Sequence, residues 1–122
     1  MSPATSFKSL HVYTLKSPLA PNSPIRFALI VTDDEFLHRR DQQIVSVLFM
    51  YPAPRPVETD IRVKIDCVGS GGTARLPHDH WVVVDGLTFL PKSKLMVTSG
   101  TEIREIEKKE VRRKLAAYLG LG

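Results

Sequence analysis

A chain of 122 residues with 43% hydrophobic and 25% charged residues has the make-up of one globular domain with a single core, which excludes a largely disordered protein. The formal charge of +4 favours an anionic partner without naming one. A lone cysteine, Cys67, excludes an intrachain disulfide and any Cys pair of metal-binding type, and reads as packing filler in a reducing compartment.

No stretch reaches the length of a membrane span, and the opening MSPATSFKS lacks the apolar run of a signal peptide. The expectation is a soluble cytoplasmic protein with no membrane partner, a single domain over residues 1–122.

In chain order, residues 1–7 form a loose terminus, and LHVYTL (10–15) is β-branched and aromatic enough for a strand. KSPLAPNSP (16–24) carries three prolines, which bar a helix and a ladder, so it is a loop long enough to be functional or mobile. FALIV (27–31) is apolar without a break, so both faces of that strand are covered. Residues 33–41 make a turn or short helix, with Asp33 or Asp34 as its cap. QIVSVLFMY (43–51) is the next core strand, stopped by the extended loop PAPRP (52–56).

DIRVKI (60–65) alternates apolar and charged residues, a strand with one wet face. GSGGTARLPHDH (69–80) is a hairpin loop, and WVVVDGLTFL (81–90) is a strand bent at Asp85-Gly86. KSKL (92–95) opens a basic turn and MVTSG (96–100) a short strand end. Val111, Leu115, Tyr118 and Leu119 fall at helical spacing, giving a C-terminal helix over 107–119 that Gly120 stops. Short strands, proline- and glycine-rich loops and one terminal helix predict a mainly β, α+β fold: a small curled sheet or barrel closed by that helix.

Several side chains carry possible chemistry. Arg26 places a permanent charge at the mouth of a core strand, where it is either a rim residue or aimed at an anion. His11 lies on the first strand, and His78 and His80 lie in the loop before Trp81; histidine exchanges protons near neutral pH. His78 and His80 read as solvated, and without a third ligand they make no metal site. Arg39, Arg40, Arg55, Arg62, Lys64, Lys92 and Lys94 are either a phosphate track or ordinary surface. Trp81 and Phe89 either stack bases or belong to the core or a dimer contact. The alternating charges of EIEKKEVRRK read as a solvated helix face.

RFALIVTDDEFLHRR (26–40), IVSVLFMYPAPRP (44–56) and HWVVVDGLTFLPKSKL (80–95), in this order and followed by the helix ending in YLGLG, resemble the MazF/PemK toxin family. The likeness runs over about residues 8–121 and includes the Kid-like members, which share a fold with the gyrase poison CcdB. It implies an SH3-like barrel with a terminal helix and a homodimer. It also implies cleavage of single-stranded RNA with no metal or cofactor, and silencing by a cognate antitoxin.

On the same likeness Arg26 matches the catalytic arginine and Asp85 an acid of the site. Metal-free cleavage needs a base for the 2′-hydroxyl, an acid for the leaving 5′-oxygen and a fixed cation for the charge on phosphorus. Here the chain departs from the pattern. Lys8-Ser9-Leu10 stands in place of Arg-Gly-Asp, no acid lies in residues 15–25, and Phe27 replaces the proline after the arginine. Met50, Tyr51 and Pro52 stand where a Thr or Ser is usual, and Val83 stands where an arginine two residues before Asp85 is usual.

The expected catalytic set is therefore Arg26, Asp85, His11 and Tyr51, with Arg55, His78, His80, Lys92 and Lys94 on substrate. The alternatives are a silent RNA- or antitoxin-binding member of the same fold, and a CcdB-like gyrase poison.

Overall fold

A computed structural model of the chain describes residues 6–39, 41–52 and 59–121. Arg40 and most of the 52–56 loop, Arg55 included, lie outside the described residues. Six strands, β1 (His11–Thr14), β2 (Phe27–Ile30), β3 (Ile44–Pro52), β4 (Arg62–Ile65), β5 (His80–Pro91) and β6 (Thr101–Glu102), form one sheet in the order β4-β5-β3-β2-β1-β6. All its pairings are antiparallel. Two α-helices, α1 (Asp34–Leu37) and α2 (Glu105–Tyr118), and four short 3-10 turns complete the described chain.

The unbroken apolar run of β2 is buried on both sides: Ala28, Leu29 and Ile30 are wholly inaccessible. Because opposed residues share a face, the register Val12–Leu29–Leu48–Leu87 marks an inner face, which Val111 and Leu115 of α2 seal. Tyr13, Ala28, Ile30 and Val47 mark the outer face, covered by Leu37 of α1 and by Leu95. In β4, Val63 and Ile65 are buried while Lys64 is exposed, as its alternation requires.

Asp33 caps α1 by accepting from the Glu35 amide at 3.0 Å. At the far end of α2, Gly120 adopts φ +75°, and the amides of Gly120 and Leu121 close onto the carbonyls of Ala117 and Ala116. That is a Schellman stop, and it uses glycine because a Cβ resists this conformation.

Three details differ from the sequence expectation. The helix begins at Glu105, because Glu107 turns back to accept from the Arg104 amide at 2.8 Å and fixes the first turn there. Glu107 and Lys108 are buried, so this first turn is not a solvated face. Val97–Ser99 is a 3-10 turn, and the short strand falls just after it, as β6.

The bend at Asp85-Gly86 is a bulge inside one long strand. Leu87 pairs with Leu48 and Val82 with Met50, so five steps along β5 face two along β3. The surplus residues swing out, and a side chain on Gly86 would stand 3.3 Å from the Val83 carbonyl. The gap between the sheet's edges, β4 and β6, is bridged by the segment after β4. Thr73 Oγ1 donates to the Glu102 carbonyl at 2.9 Å, and the Arg75 amide donates to Thr101 Oγ1 at 2.9 Å.

Candidate functional site

The ladders define one end of the sheet, where β2 starts and β3 ends. Phe27 opposes Met50, which opposes Val82, which opposes Val63. One step further out, Lys64 opposes Trp81 and Trp81 opposes Tyr51. Extending the β2–β3 register by one places Arg26 next to Tyr51, and the Leu15 amide donates to the Arg26 carbonyl at 2.9 Å. Residues in one cross-strand row share a face, so Arg26, Tyr51, Trp81 and Lys64 form a row across four strands. At the usual strand spacing it is about 14 Å long. At its β1 end the row runs into Leu15 and Leu95, and Lys16 and Lys94 stand one step beyond it, where the Lys16 amide donates to the Lys94 carbonyl at 2.9 Å.

Arg26 is exposed. Its Nη1 donates to the Ser23 carbonyl at 2.8 Å and to Ile25 at 3.4 Å. The proline-rich 16–24 loop therefore grips one corner of the guanidinium. A guanidinium has five N–H donors, and both of these bonds use the same nitrogen. Tyr51 is half-buried and packs on the outer-face core.

The histidines are divided. His78 is exposed as expected, but His80 opens β5 and is 2% accessible, because it alternates with Val82 and Val84 and so points inward. The His80 ring meets Phe27 edge-on at 5.0 Å and stacks on His78 at 4.9 Å, with Nδ1 2.9 Å from the His78 carbonyl. Burial, the largest cause, pulls its pKa below the ordinary histidine value. His11 stands at the other end of the sheet, opposite Glu102, four residues from the Arg26 row and hence about 13 Å away along the strand.

Lys92 spans to α1, where Nζ donates to the Leu37 carbonyl at 2.7 Å, a brace for that helix. Asp85, on the bulge, is ion-paired to Arg62 at 2.6 Å. Arg62 is the register partner of Val83, so a guanidinium reaches Asp85 from the neighbouring strand. The sequence places Arg62 among cations that are either a phosphate track or ordinary surface and does not pair it with Asp85, since no local spacing links residues 23 apart. The structure thus brings Arg26 and Tyr51 into one row, with His78 and His80 behind Phe27 and Lys94 one step beyond the row at the same end of the sheet. Asp85, His11 and Lys92 stand elsewhere on the sheet. No group of three or more His, Cys, Asp or Glu suited to a metal exists among the described residues.

The sequence matches the family described as PemK-like, MazF-like toxin of type II toxin-antitoxin system over residues 10–119. The chain belongs to this family. No curated protein matches it. Two solved structures are similar to this PemK-like, MazF-like chain. One is an endoribonuclease in complex with its cognate antitoxin from a mycobacterial species, at TM-score 0.68 and 18% identity, covering 96% of this chain and 98% of that one. The other is an endoribonuclease from a mycobacterial species, at TM-score 0.67 and 20% identity, covering 95% and 93%. At these identities the likeness is one of fold. It matches the expected curled β sheet with a C-terminal helix, and no helix among the described residues is long and apolar enough to cross a membrane.

Proposed function

We propose that this PemK-like, MazF-like toxin is an endoribonuclease that cuts single-stranded RNA with side chains alone and is silenced by a cognate antitoxin. The observation that carries the reading is Arg26, an exposed guanidinium at the mouth of β2, one register step beyond the Phe27–Met50 pair and so in the row of Tyr51. In the reaction the 2′-oxygen bonds to phosphorus as its proton leaves, and the P–O5′ bond breaks as the 5′-oxygen takes a proton. The products are a 2′,3′-cyclic phosphate and a 5′-hydroxyl.

Arg26 grips the phosphate and stabilises the charge on pentavalent phosphorus, for which a fixed planar cation is suited. Tyr51 donates toward the leaving oxygen, and the exposed imidazole of His78, reached past His80 and Phe27, takes the 2′ proton, since Asp85 stands elsewhere and is held by Arg62. Lys94, at the same end of the sheet, holds flanking phosphate. The protein acts as a homodimer, and exposed Ile44 and Phe89, at the far end of the β3–β5 ladder, offer an apolar face to a second copy.

A second reading, the silent binder, draws on the engagements around the site. The carboxylate of Asp85 is taken by Arg62, His80 is buried, and the two recorded bonds of Arg26 go to carbonyls. One assay separates the readings: a long unstructured RNA incubated in EDTA with wild type and with Arg26→Ala. The nuclease reading expects cleavage by wild type and a rate about 10²–10³-fold lower for the variant. RNA bound in a salt-dependent manner but uncut selects the silent binder, and equal cleavage by both proteins removes Arg26 from the mechanism.

A further inference from the structure

Trp81 is the chain's single tryptophan, and a sheet core would close over such a residue. Here it is only half-buried and lines a groove of about 260 Å³ between the β4 edge and α2. Its lining also includes Ile106, which is 65% exposed although it sits on the first turn of a packed helix. The groove thus offers a half-buried aromatic ring and an exposed aliphatic side chain.

Its rim is cationic. Arg62, Lys64 and Lys114 line it. Lys64 keeps 48% of its side chain exposed, and its nearest acids, Asp66 and Asp79, are both 3.7 Å away, a loose engagement. The two glutamates on the lining are occupied. Glu107 accepts from the amides of Asp66 and Arg104, and both oxygens of Glu110 accept from Arg113. A planar apolar group that carries negative charge beside it matches this combination. Single-strand binders hold bases in this way, by stacking on an aromatic ring while lysine or arginine follows the phosphates. Trp81 also opposes Tyr51, so the groove continues the row that starts at Arg26, about 10 Å further along.

We propose that the groove is a nucleobase subsite, in which one base of a bound single-stranded RNA stacks on Trp81 against Ile106 and its phosphate faces Lys64. The inference rests on the RNA reading above and gives it a second anchor point beyond the scissile phosphate.

Because there is one indole, its emission reports on this groove alone. An end-labelled 2′-O-methyl oligoribonucleotide of mixed sequence, which lacks the hydroxyl needed for cleavage, is titrated against the full chain. RNA anisotropy and Trp81 emission are followed together. The expected result is a drop in emission with the same midpoint as the rise in anisotropy, and no drop with an abasic oligomer of equal length. Trp81→Ala weakens binding roughly 5- to 100-fold, and Trp81→Phe, which keeps a ring and the local packing, restores most of it. Anisotropy rising while Trp81 emission stays constant, or equal binding by wild type and both variants, overturns the subsite and leaves the RNA reading standing. No rise in anisotropy at all removes both. An emission change evoked by a protein partner and not by the oligomer assigns the groove to that partner and overturns the proposal.

Discussion

At His80 the fold forces a titratable ring into the sheet interior, and this has a thermodynamic consequence. Burial holds its folded-state pKa below the ordinary value, whereas the unfolded chain protonates near pH 6.5. The unfolded state therefore binds the proton first as pH falls. The stability contributed by neutral His80 is complete above about pH 6.5 and is lost as pH drops from there toward the folded pKa. The slope is at most about 1.4 kcal/mol per pH unit. Urea midpoints measured at pH 7.5 and pH 5 should separate for wild type and converge for His80→Gln, which carries no titrating group. An unchanged gap in the variant would place the acid sensitivity elsewhere. The inward position was legible from the sequence, since His80, Val82 and Val84 alternate, but a reading that ended the loop at residue 80 discarded it. Arg62 is the opposite case. Its pairing with Asp85 depends on which strands become neighbours, and a single sequence carries no register.

At the scale of elements, α2 is tied to the sheet by one carboxylate. Glu107 is 3% accessible and accepts from the Arg104 amide, the Arg104 guanidinium and the Asp66 amide at the exit of β4. It caps the helix and welds it to the strand in one step. Glu107→Ala leaves buried donors without an acceptor and should cost about 1–3 kcal/mol in a denaturant melt. Glu110→Ala, one turn on, breaks only the exposed pair with Arg113 and should change the melt little. Equal melts for the two variants would contradict the weld. Apolar spacing located this helix because Val111 and Leu115 must meet the core. It could not show that the Glu and Lys of the first turn are buried, because their partners come from β4 and β6. The strands were legible where their alternation or apolar runs were long, as in β2, β3 and β5. β6 was displaced because its two residues are too few to display a period.

For the whole molecule, the modest net charge does not divide the sheet into a basic and an acidic end. Lys8, Lys108 and Arg112 share a cavity with Asp33 and Asp34 at one end, and at the other Asp66 and Asp79 stand 3.7 Å from Lys64, so the path of an RNA is set by local rows of cations such as Arg26 and Lys64. If RNA lies along the row from Arg26 to Lys64, affinity must fall with salt in proportion to the phosphates neutralised there. For single strands the slope of log K against log salt is about −0.7 per phosphate. Lys64→Met should therefore reduce the magnitude of that slope by about 0.7 and weaken binding at low salt, whatever the base sequence. Lys109→Met removes an equal charge from an exposed position on α2 and should leave the slope as it was. Anisotropy titrations of the uncleavable oligomer across a potassium chloride series measure both. Equal slope changes in the two variants would mean that the RNA responds only to total charge and that the row is not its path. A change confined to Lys64 would make the sheet register itself the determinant of where the strand runs.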